Sequence, residues 1–406
     1  MFQEGYATGA NVNIVFRATM SHPIIRGMQI FRNPQFSAIS LVVAAALGLL
    51  VANSPLGDAA ANIRDAHPGA VLGLDLSLGH WVTDGLLAIF FFLAAVELKH
   101  ELRHGELNSA RKALVPTAAA IGGVLVPAAI FLLLVRQPGL SDGWPIPTAT
   151  DIAFALGVLA LVGRGLPSRV RALLLALAVI DDLIAIGIIA FFFTDDLNPL
   201  ALIAAVPVIL IFGWLSYRAN GPAKIAAMVA LAIVAWWLVA FSGIHPTIAG
   251  VSLGLILASR VGTQTRHAME PWSNAIILPL FAFVATLVVI PSAGALGVVF
   301  WAIVVALPVG KIIGITGGAL IANALNGNGE KTPIGDLLTI AALGGVGFTV
   351  SLLMNELAFE SNPEAVTEGT LGVLVGSVIA IIVGGSFAAA RSRWYRAKRD
   401  PQKSAR

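Results

Sequence analysis

LLLALAVIDDLIAIGIIAFFF, residues 173–193, is an apolar run of 21 residues with two adjacent aspartates, Asp181 and Asp182, near its middle. As a helix rising 1.5 Å per residue it is about 30 Å long, the thickness of a bilayer's hydrocarbon core. An ionisable side chain at that depth costs about 2.5–3.5 kcal/mol on insertion scales, so it points to function before it points to folding. Neighbouring residues lie about 100° apart round a helix, so the two carboxylates can border one cavity without aiming at one spot. Pairing with a neighbouring helix is the plainer reading. It leaves two buried anions short of compensation unless a proton or a cation is supplied.

The whole chain fits this picture. Of 406 residues, 57% are hydrophobic and 12% charged, against roughly 25% charged in soluble domains, too little to cover a water-exposed surface. With a mean hydropathy of +0.87, a polytopic helical membrane protein is expected, and a soluble enzyme or a nucleic-acid binder is not. The absence of cysteine excludes disulfides, thiolate metal sites and Cys nucleophiles. Twelve spans are expected, at about 36–53, 80–98, 113–135, 145–163, 170–193, 200–217, 223–241, 244–258, 272–290, 293–320, 335–359 and 369–390. Of 25 Lys and Arg, 22 then fall on one side, only Arg64 and Arg136 on the other, and Lys311 lies within a span. The positive-inside rule puts both termini in the cytoplasm.

Residues 1–35 read as a cytoplasmic segment leading to an uncleaved first helix, 36–390 as the transmembrane domain, and 391–406 as a basic tail near anionic lipid. In the external loop 58–79, VLGLDLSL (71–78) alternates like a strand. It reads either as an ordered loop or as a β-hairpin whose free edge is a homodimer contact.

Asp151 is a third acid inside a span, in PIPTATDIAFALGVLALVG (145–163). Its prolines remove backbone donors and disfavour helix before them, so this span should break near Thr148–Asp151. Thr150 and the freed carbonyls are then hard oxygen ligands, whereas Asp151 reads equally well as a cap on the second half-helix. A second break is expected at Gly344-Gly345-Val346-Gly347, although tight helix packing would also use those glycines. The two interrupted spans are the middle members of two three-span groups, 3–5 and 10–12, expected to be inverted repeats crossing near the midplane. That arrangement marks the ion site of a secondary transporter. Lys311 is the only cation available to the buried acids, with snorkelling to the interface as its plainer role. Asp84 and Glu97 mark the two ends of span 2, and His245 opens span 8 with a side chain that titrates near neutrality.

The strings FFFLAAVELKHEL (90–102), PTATDIAFALGVLALVG (147–163), ALAVIDDLIAIGIIAFF (176–192), FSGIHPTIAG (241–250), ILPLFAF (277–283), VGKIIGI (309–315) and GGVGFTVSLL (344–353) resemble, in order and spacing, the NhaA family of bacterial sodium/proton antiporters. That family is one of the examples behind the rule on interrupted helices, so the two arguments are not independent. The resemblance spans about 36–390 and implies Asp182 as principal Na⁺ or Li⁺ ligand, Asp181 as its partner, and Lys311 as the buried counter-charge. It further implies Thr150 and Asp151 at the helix crossing, Asp84 and Glu97 as the outer and inner funnel acids, and His245 as a pH-related histidine. One departure stands out. Ahead of the Pro-Trp of span 9, where the family can carry a glutamate, this chain has Arg266, with Glu270 nearer the proline.

The function implied is exchange of cytoplasmic Na⁺ or Li⁺ for external H⁺ at the bacterial inner membrane, electrogenic, serving pH and sodium homeostasis, with no cofactor and no enzymatic chemistry. A carboxylate pair out of water is a site where a proton and a small hard cation compete. A cation-coupled solute symporter or a channel shares the fold logic. An intramembrane aspartyl protease would need a GxGD string that is absent.

Overall fold

The computed structural model describes residues 33–69, 74–105, 107–194, 197–218, 221–291, 296–325 and 331–399. Among them, ten helices are long and apolar enough to cross a membrane, an eleventh span is broken in its middle, and a twelfth apolar helix is shorter. α1 (Pro34–Ala52) begins on a proline behind Asn33, whose side chain accepts from Gln35 N at 3.0 Å, a capped helix start. α2 (Gly57–Arg64) is short and polar. α3 (Leu78–His104) carries a π turn at Trp81–Leu86, which contains Asp84. After α4 (Ala110–Leu134), two 3₁₀ turns at Ser141–Gly143 and Ile146–Thr148 lead into α5 (Ile152–Val162). Next come α6 (Ser168–Phe192), α7 (Pro199–Arg218), α8 (Pro222–Phe241) and α9 (Thr247–Ile256). They are followed by α10 (Ser259–Ala285), α11 (Val298–Leu325), α12 (Ile334–Gly344), α13 (Phe348–Ala358) and α14 (Pro363–Arg399).

Both expected breaks are present. Pro145 and Pro147 hold the first half of span 4 in turns, and the backbone is extended at Ala149 and Asp151 before α5 starts. α12 and α13 are bent by 48° across Gly345–Gly347. Elsewhere hydropathy misplaces helix ends. α10 starts at Ser259 because its first half, SRVGTQTRHAMEPW, is a polar amphipathic helix invisible to an apolar window. The eighth span holds only the ten residues of α9. α14 runs unbroken to Arg399, so the first part of the basic tail is helix, and its Ser392 is buried. Of the strand-like stretch at 71–78, residues 71–73 lie outside the described residues; Leu74 forms an isolated β-bridge, 75–77 have no regular structure and Leu78 already begins α3.

The helices pack as two neighbouring groups. α4, α5, α6, α11, α12 and α14 pack on one another, while α3 packs on α9, α9 on α8, and α8 on α7. α10 and α1 pack together, with α1 against α5 and α10 against α13. α4 and α11 approach so closely that a Cβ on Gly122 would collide with the Gly314 carbonyl, and one on Gly318 with that of Ala118. This contact of small residues sets the depth of Lys311, which follows directly on a π turn (Ala306–Gly310) built round Pro308.

At the end bearing most of the Arg and Lys, the carboxylate of Asp336, at the start of α12, is completely buried. It accepts from Arg391 Nε at 2.7 Å, Tyr395 OH at 2.7 Å and Arg169 Nη2 at 3.3 Å. One acid thus ties the first turns of α6 and α12 to the far end of α14.

Candidate functional site

Asp181 and Asp182, in the middle of α6, differ in their surroundings. Asp181 is 2% exposed and its Oδ2 meets Lys311 Nζ at 2.8 Å. Its other oxygen, Oδ1, is buried with no hydrogen-bond partner among the described residues. Asp182 is only half-buried and makes no hydrogen bond or ion pair among the described residues. One carboxylate of the pair is therefore held and the other is open.

Lys311 is completely buried, which excludes the snorkelling role. Besides Asp181 its ammonium donates to Thr150 Oγ1 at 3.0 Å, and Thr150 donates in turn to the Gly344 carbonyl at 2.7 Å. Gly344 ends α12, so its carbonyl belongs to the negative end of that half-helix. Lys311 thus links Asp181 on α6 to the broken backbone of both interrupted spans.

Asp151 does the converse for the two half-helix N-termini. Its Oδ1 accepts from Phe154 N at 3.0 Å, capping α5. Its Oδ2 accepts from Thr349 N at 3.2 Å and Thr349 Oγ1 at 2.8 Å in the first turn of α13. The backbone N–H of Asp151 donates to Val346 O at 2.6 Å, which knots the two breaks together. A single buried carboxylate faces two positive helix ends, and the cap reading of Asp151 applies to both helices. Thr349 lies in the glycine-rich stretch 344–353, and nothing local signals its role because its partner lies 198 residues away.

The remaining expected residues lie at the two ends. Glu97, at the basic end of α3, pairs through Oε1 with Arg266 Nη2 at 3.1 Å, so the departure at position 266 places a cation against Glu97. Glu270, one turn further along α10, is partly buried and close enough to Glu97 for their charges to interact. At the opposite end, Asp84 Oδ1 stands 3.4 Å from His245 Nε2 and accepts from Thr83 Oγ1 at 3.1 Å. His245 is 8% exposed, and its Nδ1 contacts Thr247 Oγ1 at 2.7 Å. Outside the spans at that end, hydrogen bonds from Arg64 hold the Asp65 carboxyl below its usual range. The structure brings Thr150, Asp151, Asp181, Asp182 and Lys311 to one centre and leaves Asp84 with His245, and Glu97 with Glu270, at separate ends.

A centre of this kind, an open carboxylate beside one neutralised by a buried lysine at crossed helix breaks, suits a small cation and a proton. The sequence matches the family model described as Na⁺/H⁺ antiporter 1 over residues 28–387. The chain is 51% identical over 382 residues to the Na⁺/H⁺ antiporter NhaA 2 of Clavibacter michiganensis, covering 91% of this chain and 93% of that relative. It is 43% identical to the Na⁺/H⁺ antiporter NhaA of Tropheryma whipplei, with coverage of 88% and 94%, and 40% identical to that of Thermobifida fusca, with coverage of 91% and 94%. With helices fit to span a bilayer and relatives of this name along nearly its whole length, the chain is a multi-pass membrane protein that belongs to the Na⁺/H⁺ antiporter 1 family.

Proposed function

We propose that the chain exchanges cytoplasmic Na⁺, or Li⁺, for external H⁺ across the bacterial inner membrane. The observation that carries this reading is the asymmetry of the aspartate pair, with Asp181 held by Lys311 and Asp182 half-buried without a partner. A symporter has no support among the named relatives, all of which are Na⁺/H⁺ antiporters. The 22 to 2 division of Lys and Arg supports cytoplasmic termini, which makes the Arg64 end the outer one.

In the proton-loaded state Asp182 carries a proton while Lys311 ammonium pairs with Asp181. Sodium entering between the carboxylates displaces the proton of Asp182 and draws Asp181 away from Lys311. A lysine that loses its anion in an apolar interior no longer holds its proton, so two protons leave for one Na⁺. The net moved charge makes exchange electrogenic, with about 2.3 kcal/mol per charge at 100 mV. Thr150 and Asp151 neutralise the half-helix ends, so the broken backbone stays satisfied while one helix group shifts against the other. Glu97 with Glu270, and Asp84 with His245, are the entry acids and pH-responsive groups at the two faces. A homodimer through 71–78 completes the assembly.

The test is dequenching of an acid-interior fluorescence gradient in proteoliposomes. Na⁺ and Li⁺ should discharge the gradient and K⁺ should not. Silence to all three ions in correctly inserted protein would refute antiport.

A further inference from the structure

The exchange centre leaves one half-buried carboxyl without a task. Glu356 lies on α13, two turns beyond Thr349 and the crossing held by Asp151. Its Oε2 is buried and has no hydrogen-bond partner among the described residues. A carboxylate oxygen withdrawn from water with no donor is costly to keep unless a proton or cation visits it. The charges that act on Glu356 come from Asp84 on α3, Arg64 at the end of α2, and Glu360 just past its own helix.

Arg64 is not free to serve as its partner. The Arg64 Nε and Nη2 donate to Asp65 at 2.7 and 3.0 Å, and Nη1 donates to the Leu287 carbonyl at 3.3 Å. Asp84 is a second acid, its carboxylate met among the described residues only by Thr83 and by His245 at 3.4 Å. Inward of the two acids, Leu87, Phe90 and Phe91 of α3 and Thr349, Val350 and Leu353 of α13 line one small gap. The small apolar gap between them is too narrow for water. Apolar side chains of α3 and α13 therefore lie between the level of the two acids and that of Thr349.

We propose that Glu356 and Asp84 together form the outer carboxyl site of the exchange route, where an incoming proton lands and an outgoing Na⁺ is released when α3 and α13 part. This rests on the antiport reading and adds to it a residue on the moving seam. Sequence reasoning passed over Glu356 because it stands close to the end of its span, where acids are ordinarily solvated.

The test uses proteoliposomes sorted by orientation, with pH varied at one face while the other is fixed. Glu356→Gln should move the midpoint of the dependence on pH at the Arg64 face by about one unit, or weaken Na⁺ there about tenfold, and leave the other face unchanged. Glu356→Asp should restore the wild-type profile. A wild-type profile for Glu356→Gln at both faces, or an equal shift at both, would overturn the proposal. Failure of antiport itself would show separately, in the unmodified protein. A second measurement needs no variant. A hydrophobic carbodiimide, mapped by mass spectrometry on wild-type protein in membranes, should modify Glu356, and Na⁺ should slow the reaction. Glu356 unmodified at every pH would equally overturn the proposal.

Discussion

Asp151→Ala removes the one group that faces both half-helices. Three donors lose their acceptor, Phe154 N at 3.0 Å, Thr349 N at 3.2 Å and Thr349 Oγ1 at 2.8 Å. The threonine hydroxyl can rotate to another acceptor, which leaves two buried backbone N–H groups. Hydrogen bonds to a charged group are worth about 1.5–3 kcal/mol each, and relief of the buried anion offsets part of their loss, so the net cost is about 3 kcal/mol. Asp151→Asn has nearly the same shape and keeps one acceptor oxygen, enough for one helix but not for both, at a cost of about 1–2 kcal/mol. Melting of purified protein in detergent should rank wild type above Asn above Ala, with a fall of roughly 5 °C for Ala. Exchange should follow the same order, because the half-helix ends frame the site of Asp182. Equal melting temperatures for wild type and Asp151→Ala would refute the double-cap argument.

Lys311→Gln removes the proton that leaves with Asp182's, so a variant that still transports should be electroneutral; current from adsorbed proteoliposomes on a sodium jump, with undiminished charge per Na⁺, would reduce Lys311 to a structural counter-ion. Asp336→Ala strips Arg391 and Tyr395 of their common acceptor and should cost about 2 kcal/mol, since Arg169 is half-exposed and its share is screened. Limited proteolysis should then cut α14 near Arg391, and unchanged resistance would count against the tie. Gly314→Val should force α11 off the Gly122 carbonyl and abolish exchange more severely than it lowers expression; normal exchange would show that the contact does not set Lys311. Single cysteines at Asp75 and Lys331 should react with an impermeant thiol reagent from opposite faces, and reaction from the same face would contradict the topology.

Membrane solvent made much of this architecture legible. An acid in a 21-residue apolar run has few plain explanations, so Asp181, Asp182 and Asp151 stood out at once, and the prolines at 145 and 147 announced a broken span. Boundaries were less legible where helices leave the bilayer. The first half of α10 and the last turns of α14 are polar helices held by specific partners, which no hydropathy window registers. Pairings across long chain separations were hidden as well. Nothing local links Arg266 to Glu97, Thr150 to Gly344, or Asp336 to Arg391, because each pairing depends on which helices are neighbours. Glu356 marks the remaining limit, since depth along a span cannot be judged to the turn from the apolar pattern alone.

The central claim is that Na⁺ and H⁺ compete for the Asp181 and Asp182 carboxylates. Titration calorimetry of Na⁺ into purified protein, repeated over pH and in buffers of different ionisation enthalpy, tests it without reference to gradients. Linkage requires protons to be released as Na⁺ binds, and the apparent Kd to rise as pH falls, by about tenfold per unit for each proton displaced. Wild type should approach two protons in this measurement and Lys311→Gln one, and folded Asp182→Asn should bind no Na⁺. Sodium binding with an affinity independent of pH, or undiminished binding by Asp182→Asn, would contradict the account.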